Sequence, residues 1–141
     1  MNWVFEQQGI DWTELCDLYR VAPLGDKPPE HLQLVFSNSL FKCFVYDEGK
    51  LVGAGRALAD GADCAYVCDV AVHPDAQGCG LGSAIIDQLK ELAAGHAKII
   101  LYAKPGTERF YQKLGFRRMR TALAIFRDEQ RALRTGLIDE Q

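Results

Sequence analysis

The sequence predicts an α+β domain, on three observations. Short apolar segments at 40–46, 51–58 and 64–72 follow one another through Gly- and Asp-containing turns, the pattern of antiparallel strands. The last of them leads through His73-Pro74-Asp75 into Gln77-Gly78-Cys79-Gly80-Leu81-Gly82, a glycine-rich loop that opens an amphipathic helix. A further apolar strand follows that helix. A meander feeding one strand–loop–helix–strand unit indicates α+β.

The elements follow in order. Asn2–Gln8 reads as a first strand. Asp11 can cap a helix running to about Arg20, with Trp12, Leu15, Leu18 and Tyr19 near helical spacing. Pro23 to Pro29 is a turn-rich loop, and Pro28-Pro29 starts a second helix to about Asn38 with Leu32, Val35 and Phe36 inward. Leu40–Tyr46 and Leu51–Leu58 form a hairpin about Asp47-Glu48-Gly49-Lys50. Asp60-Gly61-Ala62-Asp63 turns into the strand Cys64–Val72. The helix Leu81–Ala94 carries Leu81, Ile85, Leu89 and Leu92 on one face, and Gly95 ends it. Lys98–Tyr102 is a strand, a short helix carrying Phe110-Tyr111-Gln112-Lys113-Leu114-Gly115-Phe116 follows, and Arg117–Phe126 reads as one more strand. Arg127–Gln141 is charged and reads as helix or tail.

At 141 residues the chain suits one domain with one core, residues 1–141. Its 48% hydrophobic and 25% charged content is that of a globular chain. A net charge of −3 and the absence of a basic run argue against nucleic acid as a partner. The apolar runs are too short to span a membrane, and Met1–Glu6 lacks the features of a signal peptide, so the cytoplasm is the expected compartment. Five cysteines at irregular spacing read as reduced thiols. Cys64 and Cys68, on one strand face, stand ~13 Å apart, too far for a single zinc ion whose ligands lie at ~2 Å. No metal site is expected.

The glycine loop suits a phosphate. Its amides can approach a ligand closely, and the N–H groups and dipole at the start of the following helix favour an anion. A P-loop needs Gly-Lys-Ser or Gly-Lys-Thr, which is absent. A dinucleotide fingerprint needs a Gly or Ala where Ser83 or Ile85 stands, and an acidic residue that the 98–102 strand does not end on. Gln-x-x-Gly-x-Gly after a strand, with Gln77, Gly80 and Gly82 at its positions, resembles instead the acyl-CoA loop of the GNAT superfamily of N-acetyltransferases. Phe110-Tyr111-Gln112-Lys113-Leu114-Gly115-Phe116 resembles that family's second signature, at the expected distance. The resemblance covers residues 40–126 well, and the first 40 by element order.

The resemblance implies a mixed, mostly antiparallel sheet with helices on both faces and acetyl-CoA as cosubstrate. The cofactor would lie against Val70, Ala71 and Val72 of the strand and against Gln77, Gly78, Cys79, Gly80, Leu81, Gly82 and Ser83 of the loop. It implies acetyl transfer to a primary amine, of a small molecule or a peptide, by direct attack. Tyr111 is the implied acid: a phenol of pKa ~10 can protonate a thiolate whose own pKa is nearer ~8.5. The family often places a base on the strand before the loop. Counting back from Val72 puts Val70, Cys68 and Tyr66 on one face, and neither Cys68 nor Tyr66 is a natural base. Asp69 is the strand's carboxylate and the catalytic candidate, although alternation points it the other way unless a bulge turns it. Water is the remaining route.

The family pattern usually ends in two strands after the second signature, and here only 117–126 reads as one. The sheet edge it leaves calls for a cover, either the charged tail or a second subunit of a homodimer. Trp12, Tyr19 and Phe41 suit an aromatic acceptor pocket or, more simply, the core. A non-catalytic acyl-CoA-binding module is the alternative function.

Overall fold

A short strand satisfies its backbone only against a neighbour, and in this chain five strands do so in sequence order. The computed structural model describes Met1–Gln141, which fall into two units, Met1–Leu101 and Tyr102–Gln141. In the first, β1 (Asn2–Val4), β2 (Phe41–Asp47), β3 (Lys50–Ala59), β4 (Cys64–Val72) and β5 (Lys98–Ile100) form one sheet in the order β1-β2-β3-β4-β5. The first four are antiparallel; β5 joins β4 in parallel over Cys64–Tyr66. The mixed, mostly antiparallel sheet is the expected one. β1 stops short of the predicted Gln8 because the chain already turns there, with the Ile10 amide donating to the Gln7 carbonyl.

Helices cover both faces of this sheet. On one face lie α1 (Trp12–Val21) and α2 (Pro29–Ser37). Leu15, Leu18, Tyr19, Leu32 and Phe36 pack there with Phe44, Leu51, Ala54 and Ala71 of the strands. Asp11 caps α1, its Oδ1 accepting from the amides of Thr13 and Glu14. On the other face lies α3 (Leu81–Leu92), with Leu81, Ile85, Ile86 and Leu89 buried; Leu92, expected inward, is 38% exposed. This helix rests on bare backbone. A Cβ added to Gly53 would stand 2.8 Å from Ile85 Cδ1, and one on Gly55 2.9 Å from Ile85 Cγ2.

The second unit holds α4 (Glu108–Gln112) and α5 (Glu129–Arg134), the latter capped by Asp128. Residues 117–126 are not the predicted strand: they form no ladder, and Leu123 and Ile125 are fully exposed, at 98% and 101%. The alternating pattern is real, but no neighbouring strand completes its hydrogen bonds. The sheet therefore has no edge at 117–126, and its outer strands are β1 and β5.

Two outcomes follow from the packing under α3. Gly55→Ala forces a methyl group into Ile85 and Leu89 and should destabilise the chain by about 1–3 kcal/mol, read as a lower urea midpoint. Burial pushes the Cys43 thiol from 9.0 up to about 12, against a smaller lowering from the Gly55 backbone. The native state then holds a proton that the unfolded chain releases, so stability is intact below the unfolded value and falls as pH rises toward the folded one. Urea titrations across that window should fall more steeply for the parent than for Cys43→Ala.

Candidate active site

The glycine loop is shaped by left-handed backbone and by internal bonds. Gly78 and Gly80 adopt φ of 83° and 81°, and no atom lies within 4 Å of where their Cβ would stand. A short 3-10 turn, Pro74–Ala76, precedes them, with the His73 Nδ1 accepting from the Asp75 amide at 3.1 Å. Gln77 turns back on the strand end: its Nε2 donates to the Val72 carbonyl at 3.1 Å, so the side chain braces the loop. The Cys79 thiol donates to the Ala76 carbonyl at 2.9 Å.

The loop delivers the chain to α3 with its first turn open. The N-cap is Gly80, which offers no side-chain acceptor, and the turn contains no acidic residue. α1 and α5 differ, each closed by an aspartate. The leading amides of α3, at Leu81, Gly82 and Ser83, thus form a positive end ready for an anion.

Beside the loop, β4 carries a bulge. Ala54 pairs with Ala71 and Arg56 with Cys68, so Asp69 and Val70 together face Gly55. Asp69 takes φ of 54°. The extra residue resets the alternation. Cys68 lies opposite Arg56 on the α1/α2 face, whereas Val70 Cγ2 lies 3.3 Å from where a Gly55 Cβ would be, under α3. The expected single row of Val70, Cys68 and Tyr66 is therefore split. Along the free edge, the His73 amide donates to the Val52 carbonyl across the β3 side. Alternation then directs the amide of Val72, and two residues earlier that of Val70, to the other side. There the ladder with β5 ends at Tyr66, so β4 has no strand partner on that side beyond it.

Asp69 is turned by the bulge, as the sequence allowed, but into partners. Its carboxylate accepts from Arg56 Nε at 2.8 Å and lies 4.0 Å from Lys27 Nζ, with the Arg56 and Asp69 side chains 13% and 20% exposed. Its carbonyl accepts from the Tyr19 hydroxyl at 2.6 Å. Burial raises the Tyr19 phenol well above 10 and pushes the Cys68 thiol up, so both keep their protons at neutral pH. Arg56 and Lys27 escaped the sequence reading. The available signal was an arginine inside the apolar run Leu51–Ala59, where a buried cation needs a counter-charge.

Tyr111, in the second unit, lies on α4 between two rings, with centroids 5.0 Å from Phe110 and 6.1 Å from Phe116 in edge-on contact. Burial raises its phenol above 10. Phe110 is 38% exposed. Tyr19 and Trp12 pack around Phe36 in the core, while Phe41 meets the His96 ring, so the three aromatics form no common pocket. His31 and Glu30 are exposed on α2. A cavity of ≈ 710 Å³, lined by residues such as Val4, Ile10, Glu14 and Tyr46, includes neither the loop nor the edge of β4 beyond Tyr66. No group of His, Cys, Asp and Glu side chains is placed to hold a metal ion, and no helix is long and apolar enough to cross a membrane.

Comparison with known proteins bears on the family and the fold. The profile of the Acetyltransferase (GNAT) family matches residues 12–116. The uncharacterized N-acetyltransferase ycf52 of Pyropia yezoensis is 46% identical over 112 residues, 71% of this chain and 64% of that protein. Serotonin N-acetyltransferase 2, chloroplastic, of Oryza sativa subsp. japonica is 43% identical over 70 residues, 48% of this chain and 35% of that protein. The chain thus spans less than two thirds of either relative's length. Among solved structures, a GNAT family acetyltransferase from Streptococcus pneumoniae superposes with a TM-score of 0.73 at 22% identity, over 90% of this chain and 100% of that one, a likeness of fold. A glycine loop that opens an uncapped helix, a bulged strand with a free edge, and a family match running through both signatures lead to one conclusion: the chain belongs to the GNAT acetyltransferase family.

Proposed function

We propose that the chain transfers an acetyl group from acetyl-CoA to a primary amine, with residues 1–141 acting as one family domain. The observation that carries this reading is the uncapped N-terminus of α3 beside the open edge of β4. The amides from Gly78 to Ser83 suit a pyrophosphate, and those of Val70 and Val72 suit an extended amide-bearing arm. Ala71 faces the α1/α2 core and contributes backbone only. Bound acetyl-CoA supplies the activated thioester. The amine nitrogen forms a bond to the carbonyl carbon as the carbon–sulfur bond breaks. The ammonium loses one proton to water before attack; the thiolate takes a proton from Tyr111, and the second nitrogen proton, released as the amide forms, restores the phenol through water. Burial favours the protonated phenol, which suits an acid. Asp69, already ion-paired with Arg56, is given no proton transfer.

One relative suggests an acceptor class. The rice protein acts on serotonin by name, and an arylalkylamine is our first choice for this chain, followed by other small amines and peptide amines. The ion pairing of the one strand carboxylate near the site favours a second reading, a non-catalytic acyl-CoA-binding module. Thioester consumption against a panel of arylalkylamines, polyamines and peptide N-termini separates the two: turnover supports transfer, and CoA binding without turnover on any amine supports the module.

Gly80→Glu sets a carboxylate against the proposed phosphate seat. A folded variant should lose most of its CoA affinity by calorimetry, and unchanged affinity would put the cofactor elsewhere. Tyr111→Phe keeps the ring and removes the proton. It should lower kcat by ~100- to 10,000-fold, and a variant with full turnover in a regime where chemistry limits the rate would reduce Tyr111 to packing.

A further inference from the structure

The polar contacts around Asp69 exceed what a lone ion pair needs. Left-handed backbone is uncommon for a residue other than glycine, and such strain persists where its surroundings enforce it. At Asp69 three side chains do so. Tyr19 of α1 holds the carbonyl at 2.6 Å. Arg56 of β3 holds the carboxylate at 2.8 Å, and Lys27, between α1 and α2, lies 4.0 Å away. Arg56 Nη1 also donates to Ser39 Oγ at 3.2 Å, and Ser39, 2% exposed, donates to the Val35 carbonyl at 2.6 Å. These bonds tie the bulge to both helices of the α1/α2 face. Part-buried ion pairs are weak sources of net stability, so the cluster is better understood by the geometry it imposes.

We infer that Tyr19 and Arg56 are positioning residues for acetyl transfer: by pinning the carbonyl and the carboxylate of Asp69 they hold its left-handed turn, which aims the Val70 amide at the open edge of β4. The inference rests on the acetyl-transfer reading above. On that edge a fixed N–H can donate to the thioester oxygen as negative charge builds on it, and a donor held in advance is worth most there. Asp69 acts through its backbone conformation, with no proton passing to it. The ionisable groups facing it are Arg56, Lys27, Tyr19 and Cys68.

Three variants of one residue and one of its neighbour test this, using acetyl-CoA with the best acceptor of the amine panel and calorimetry with CoA. Tyr19→Phe should lower kcat roughly 10- to 100-fold, the scale of misplaced reacting groups, with CoA affinity nearly unchanged. Asp69→Asn should keep the shape of the parental pH–rate profile. Asp69→Gly, free to take the left-handed turn, should turn over faster than Asp69→Ala. Full turnover in Tyr19→Phe, loss of the acidic limb in Asp69→Asn, or equal rates for the Gly and Ala variants would each overturn the inference. A parent chain that bound no CoA would overturn the acetyl-transfer reading along with it, whereas a parent that turns over beside a fully active Tyr19→Phe overturns this inference alone.

Discussion

The structure of the first unit depends on one extra residue in β4. Without it, the strand would run in register with β3 along its whole length, and Asp69 would lie beside neither Arg56 nor the Tyr19 hydroxyl. With it, the two halves of β4 present opposite alternations: Cys68 toward α1 and α2, Val70 toward α3. A bulge also increases local twist, and in this sheet β5 follows β4 only as far as Tyr66. The part-buried ion pair and the changed faces are two results of a single insertion in the ladder.

Much of this was legible in the sequence. The strand bounds of β4 came out as predicted because the apolar run is clean and both ends carry turn residues. The cap of α1 was readable in Asp11, and the glycine loop in the spacing of three glycines ahead of an amphipathic helix. The register within β4 was not readable. Period-two counting assumes that each residue faces one partner, and the identity of Asp69 says only that a left-handed turn is tolerable there. Its resolution lay in Arg56, thirteen residues away in sequence but adjacent across the ladder.

The predicted strand at 117–126 failed for a different reason. Alternation of apolar residues states which side a strand would bury, not that a partner exists to bury it. Leu123 and Ile125 satisfy the pattern and lie in solvent. The inward residues of the helices fared better because a helix completes its own backbone bonds before it packs.

The bare backbone under α3 sets a height. A methyl group on either glycine of β3 would lift the helix by a fraction of an ångström at its N-terminal half, and the first-turn amides would rise with it. The separation between the helix start and the neighbouring strand edge is therefore fixed by two absent side chains. A molecule that touches both at once is measured against that spacing, so Gly53 and Gly55 act on ligand fit from a place no ligand reaches.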